Sequence, residues 1–118
     1  MDEKTGVEIL TQDNAGIVVF NSASITDADG IASISRQITD YINQSQPNRL
    51  IFDFENVKFF SSQVLGMLLD IRARVDEYHG QVIITSINPQ LHRVFRITNL
   101  DKIFMFFQDR KSAIQTIS

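Results

Sequence analysis

RLIFDFENVKFFSSQVLGMLL occupies residues 49–69 and carries two local patterns joined by a short link. RLIFDF (49–54) is nearly continuous apolar and aromatic, the composition of a central strand covered on both faces. Glu55-Asn56 begins a polar link that ends at Phe59-Phe60 and the serine pair Ser61-Ser62. Apolar residues then recur at helical spacing. Val64, Leu68, Ile71 and Val75 form one stripe, widened by Leu65 and Leu69, which predicts a helix over about 62–78. A buried strand leading into an amphipathic helix implies parallel pairing with the strand that follows the helix.

The flanking sequence extends this pattern in both directions. His79-Gly80 stops the helix, since Gly accepts the left-handed conformation found there. QVIITSI (81–87) reads as the next strand. Asn88-Pro89 opens a third helix with Leu91, Val94 and Phe95 on one face. Asn99-Leu100-Asp101 turns the chain into a strand, IFMFF (103–107), and Asp109 caps a short last helix carrying Ala113, Ile114 and Ile117. Upstream, VEIL (7–10) and IVVF (17–20) flank the turn signal Asp13-Asn14-Ala15-Gly16 and read as a hairpin. Ser22 to Ser24 form a polar loop. Thr26 precedes Asp29 by three, an acidic variant of the capping box. Ile31, Ile34, Ile38, Tyr41 and Ile42 then mark an amphipathic helix over about 27–44, ended by Gln46-Pro47-Asn48. The order β-β-α-β-α-β-α-β-α predicts an α/β fold. Residues 1–118 should form one domain with a mixed, mostly parallel sheet of about five strands and four helices.

Composition narrows the function classes. A chain of 118 residues with 43% hydrophobic content suits one modest core. Its net charge of −3 argues against nucleic acid as a direct partner, because neutralising phosphates needs clustered Lys and Arg. With no Cys there are no disulfides, thiol nucleophiles or thiolate metal sites, which fits a reducing compartment. The polar, acidic N-terminus MDEKTGVEIL is unlike a signal peptide. Apolar runs fall far short of the ~20 residues that span a bilayer. The expectation is a soluble cytoplasmic domain without membrane insertion. Composition leaves oligomeric state open.

Catalytic constellations are sparse. The glycines at 6, 16, 30, 66 and 80 are scattered, so no phosphate-cradling loop is present. No GxSxG elbow occurs. His79 and His92 are not spaced as a metal pair. His79 reads as a helix-end residue, and His92, beside Arg93, as exposed. Asp53 and Glu55, two apart at a strand end, could face the same way and resemble an acid pair. Such residues also occur where a chain simply leaves the core. Asp70-Arg74 and Arg72-Asp76 read as surface (i, i+4) pairs worth a few tenths of a kcal/mol. No base is in place to activate a serine as a nucleophile. The expectation is a protein that is not an enzyme, with no catalytic residue, cofactor or metal.

The serine pair stands at a helix N-terminus, where backbone N–H groups are unpaired and the dipole is positive. An ordinary N-cap there contributes ~1 kcal/mol. A phosphate would also meet those N–H groups favourably. A docked partner would not tolerate the added charge, so one serine can both cap the helix and switch binding. Consecutive residues in an extended segment point to opposite sides, so one of Phe59 and Phe60 faces the core while the other stands beside the serines. Met67 lies at the edge of the apolar stripe. The docking patch is expected at Phe60, Ser61, Ser62, Gln63 and Met67, a polar centre with apolar neighbours. The alternative places both aromatics and Met67 in the core.

FDFENVKFFSSQVLGMLL (52–69) resembles the hallmark of STAS domains of the bacterial anti-sigma factor antagonist type. In that family an apolar strand and short link lead to D-S-S-G-L-G and an apolar helix. Ser61 falls on the family Asp, Ser62 on the phosphorylatable serine, and Gln63 and Val64 on the following Ser and Gly. Leu65-Gly66 match directly. INPQLHRVFRITNLDKIFMFFQDRKSAI (87–114) is similar to the family's second signature, and His79-Gly80 matches the usual Gly before the fourth strand. Ser61 for Asp, Val64 for Gly and Ala23-Ser24-Ile25-Thr26 for the family's Gly-x-Leu-Asp loop are departures. The resemblance implies an anti-sigma factor with serine protein kinase activity as partner. The unphosphorylated chain would sequester it, and phosphorylation of Ser62 (Ser61 is the second candidate) would break the complex. Two other readings stand beside this one. The first is a STAS scaffold without a phosphorylation switch, in a stress-signalling assembly or a membrane transport complex. The second is a small α/β enzyme with a polar pocket near Asp53 and Glu55.

Overall fold

The structure, a computed structural model, describes residues 6–117. The polar N-terminus and the Ile117 side chain, read above from sequence, lie outside the described residues. The chain runs β1 (Val7–Gln12), β2 (Ala15–Phe20), β3 (Ser24–Ile25), α1 (Ala28–Ser45), β4 (Arg49–Asp53) and β5 (Phe59–Phe60). It continues α2 (Ser62–Asp76), β6 (Gln81–Thr85), α3 (Pro89–Ile97), β7 (Met105–Phe107) and α4 (Arg110–Ile117). Five strands form one sheet in the order β1-β2-β4-β6-β7, antiparallel between β1 and β2 and parallel elsewhere. This is the expected α/β fold with a mixed sheet and four helices. A second, two-stranded parallel ribbon pairs β3 with β5. Sequence reading missed it, because two-residue strands show no periodicity.

β4 is the middle strand, and all five of its residues are buried. Leu50 and Phe52 face a large core built from α1, α2 and α3, while Ile51 faces a smaller one capped by Ala113 and Ile114 of α4. The strand's alternation therefore sends successive side chains into two separate cores. The larger core centres on aromatic contacts. Phe54 lies 4.9 Å from Phe20, and Phe95 meets Phe60, Phe104 and Phe106 edge to face.

Local signals account for most boundaries. Asp13 and Asn14 both have positive φ (52° and 67°), as a two-residue type I′ hairpin turn requires. Asn88 caps α3 by accepting the Leu91 N–H at 2.9 Å. Asp109 accepts the Ser112 N–H at 2.7 Å, and this bond holds its carboxyl below the usual range. The cap of α1 is Asp27, whose Oδ2 accepts the Gly30 N–H at 2.8 Å, and not Thr26. IFMFF forms a strand only from Met105. Ile103 and Phe104 instead donate back to the Leu100 carbonyl from a single 3-10 turn.

Three burial expectations are corrected. Leu69 is exposed, and Met67, only 6% exposed, takes its place in the core. α2 packs against both α1 and β6, so its buried arc is broader than one stripe and shifted toward Met67. His92 is half-buried rather than exposed, with its ring tilted at 55° to that of Phe106, centroids 4.7 Å apart. At the end of α2 the left-handed residue is His79 (φ 68°), not Gly80. Gly80 is needed for space, since a Cβ there would fall 2.7 Å from Val75 Cγ1 and 3.1 Å from the Asn48 carbonyl oxygen.

Two substitutions separate these roles. His79→Gly should raise stability by about 1 kcal/mol through relief of the left-handed side chain. Gly80→Ala should lower it by about 1–3 kcal/mol through overpacking. Urea denaturation of both variants reads the two shifts; equal or reversed effects would refute the assignment.

Candidate functional site

The candidate site lies where the chain leaves β4, crosses to the β3–β5 ribbon and enters α2. Hydrogen bonds anchor that path at several points. Phe54 N–H donates to the Thr85 carbonyl at 3.0 Å, and Val57 N–H donates to the Phe54 carbonyl at 3.0 Å. Asn88, besides capping α3, donates from Nδ2 to the Val57 carbonyl at 3.2 Å. Lys58 and Phe59 N–H both donate to the Ala23 carbonyl, at 2.8 and 3.1 Å, and Ser61 N–H donates to the Ile25 carbonyl at 3.0 Å. These bonds hold the segment that presents the side chains.

Alternation along β5 decides which aromatic is presented. Phe60 points inward, 6% exposed, with its ring edge-on to Phe54 and Phe95. Phe59 points outward and is 58% exposed. The expectation that Phe60 lies on the docking surface is therefore corrected: the surface aromatic is Phe59. Met67 is corrected likewise, being part of the core. Of the expected patch, Ser61, Ser62 and Gln63 remain together at the start of α2, with Ser62 and Gln63 exposed. Gly66 and Leu69 continue this exposed face of the helix. Among the described residues no atom lies within 4 Å of a Cβ placed on Gly66, so none of them requires glycine there for space.

The two serines differ. Ser61 holds the N-cap position with extended backbone (φ −84°, ψ 166°), yet its side chain makes no capping bond. Its Oγ is buried without a hydrogen-bond partner. The Val64 N–H is satisfied by the Ser61 carbonyl at 3.0 Å instead. Ser62 is the first helical residue, on the surface, and the first turn of α2 contains no acidic side chain. A phosphoryl group on Ser62 would meet the positive helix end with no carboxylate in that turn to oppose it.

Asp53 and Glu55 are not an acid pair. Asp53 is buried, its Oδ1 accepting the Glu55 backbone N–H at 3.0 Å and its Oδ2 lying 3.2 Å from Arg110 Nε. The Glu55 side chain faces solvent. Among the described residues, no group of three or more His, Asp and Glu is placed to hold a metal ion. Nor is any described helix long and apolar enough to cross a membrane.

The STAS domain family profile matches residues 8–113. The chain belongs to the STAS domain family. An anti-sigma F factor antagonist from Paenibacillus polymyxa is 19% identical over 108 residues, 92% of each chain. Among solved structures, an anti-sigma-factor antagonist (STAS) domain protein from Planctomyces limnophilus superposes with a TM-score of 0.88. It shares 17% identity, over 98% of this chain and 100% of that one. The Bacillus cell fate determinant SpoIIAA in its phosphorylated form gives a TM-score of 0.71 at 18% identity, over 93% of this chain and 98% of that one. At these identities the superpositions establish the STAS fold.

The geometry of the STAS domain's serine pair gives a direct test. Ser61→Ala should cost less than about 0.5 kcal/mol, because no cap bond is lost, whereas Asp27→Ala should cost about 1 kcal/mol. Chemical denaturation compares them; a loss of 1 kcal/mol or more at Ser61 would mean that its hydroxyl caps α2.

Proposed function

We propose that this STAS domain is an anti-sigma factor antagonist of the cytoplasm, a binding module and not a catalyst. Its partner is an anti-sigma factor with serine kinase activity, and phosphorylation of Ser62 ends the association. The observation that carries this reading is the exposed Ser62 on the first turn of α2, three positions after the exposed Phe59. An aromatic anchor next to an uncharged polar centre suits a protein interface. Phosphorylation adds nearly two negative charges at that centre, which the helix end accommodates and a closely packed partner does not. The transferred phosphate comes from ATP bound by the kinase.

Gly66 adds independent support. An interior helical glycine costs about 1 kcal/mol relative to Ala, and no close approach by a described residue calls for it. A partner surface approaching the helix closely supplies the reason for it. A second reading, the scaffold without a switch, is favoured by Ser61. The family motif has an acidic residue beside the phosphoacceptor, and here that position is a serine with a buried hydroxyl.

Incubation with the cognate kinase and ATP, followed by mapping of modified residues, separates the two readings. Phosphate is expected on Ser62 and absent from Ser62→Ala; a chain left unmodified at both serines supports the scaffold. Ser62→Asp should weaken partner binding at least tenfold, about 1.4 kcal/mol. Gly66→Ala should raise the folding stability of the isolated domain by up to about 1 kcal/mol while weakening partner binding. Calorimetric titration and urea melts read both effects, and undiminished binding by Gly66→Ala would argue against docking on this face.

A further inference from the structure

The loop that leads to Ser62 is tied to two helices on opposite sides of the sheet. Asn88 at the start of α3 holds it from one side through the Val57 carbonyl. The tie to the other side runs through Asp53. Its side chain is 1% exposed, and its two oxygens serve different elements. Oδ1 accepts the Glu55 N–H of the loop, and Oδ2 receives Arg110 Nε, from the first residue of α4. Thr85 stands opposite Asp53 in the register, and its buried Oγ1 makes no hydrogen bond, so it does not share this duty. A buried carboxylate that loses its cation must find another partner or reach water. Either move displaces the acceptor of the Glu55 N–H, and with it the segment that carries Phe59, Ser61 and Ser62.

We propose that Asp53 and Arg110 are positioning residues that couple the seating of α4 to the presentation of the Phe59–Ser62 surface. This rests on the docking reading above only for its functional consequence; the coupling itself is a property of the fold. α4 packs on the Ile51 side of the sheet, and it is also held one turn further along. There Arg49 donates to the Ile114 carbonyl at 3.2 Å and to the Asp13 carbonyl at 2.9 Å. A partner or modification that lifts α4 would therefore loosen a surface on the opposite side of the sheet.

Amide hydrogen exchange on the full chain, read by NMR for wild type, Arg110→Ala, Arg110→Lys and Ile114→Ala, tests the coupling. In Arg110→Ala, exchange at Glu55 and Val57 should rise about tenfold relative to the core amides of Ile51 and Ile83. Arg110→Lys should recover part of the protection. Ile114→Ala thins the apolar contacts of α4 but keeps the ion pair, so it should accelerate α4 while leaving the loop within about twofold of wild type. Acceleration confined to α4 in Arg110→Ala, or equal in loop and core, would overturn the proposal. Binding of the same variants to the cognate anti-sigma factor then reads the consequence, with at least fivefold weaker binding expected for Arg110→Ala. If the wild-type chain binds no anti-sigma factor, the docking reading fails while the exchange result still decides the coupling.

Discussion

β4 is buried on both faces, and most of the architecture follows from the need to cover it and to satisfy its two charged ends. Three helices cover one face around Phe52, and α4 covers the other around Ile51. Arg49 and Asp53 close the strand at either end, both pointing to the α4 side, and neither can remain unpartnered in that setting. Arg49 takes two backbone carbonyls, one of them from α4, and Asp53 takes the Arg110 guanidinium. The apolar contact of α4 is small, so these two polar fastenings fix where the helix sits. An ion pair with one buried member stabilises little in net terms, but removing the cation from the buried Asp53 is costly, which makes the pair a device for specifying geometry.

The same constraint shapes the surface that the STAS domain presents. The chain must leave the top of β4, pass over the core and enter α2 without stranding backbone groups. It does so by pairing with Ser24-Ile25 in a two-residue parallel ribbon and by borrowing the side chains of Asp53 and Asn88. Asn88 caps α3 and steadies the loop with the same amide. The result is a rigid rim that turns Phe59 outward, seals Phe60 into the aromatic core and sets Ser62 on the positive end of a fifteen-residue helix.

The order of the main strands and helices was legible because each long element carries its own periodicity: continuous apolar in β4 and β6, a 3.6-residue stripe in α1 and α2. Caps with a single local partner, such as Asn88 and Asp109, were legible for the same reason. The cap of α1 was misplaced by one residue because Thr26 and Asp27 are both competent, and only backbone geometry chooses between them. The breadth of the buried arc on α2 depends on two neighbours, α1 and β6, that sequence spacing cannot locate. That is why Met67 and Leu69 exchanged places. His92 was read as exposed because the ring that covers it, Phe106, lies on another element.

The sequence by itself determined the α/β order, the hairpin, the helix that begins at Ser62, and the resemblance that aligns Ser62 with the family's phosphorylatable serine. All of these rest on local patterns within a few turns or strand residues. Tertiary structure alone decided which phenylalanine is exposed, since the phase of β5 is set by pairing with Ile25 rather than by its own two residues. It also decided that the Ser61 hydroxyl is buried without a capping bond. It made Asp53 a link between Arg110 and the Glu55 amide rather than half of an acid pair. Asp53 and Arg110 are far apart in the chain, and only the folding of α4 back across the sheet brings them to 3.2 Å.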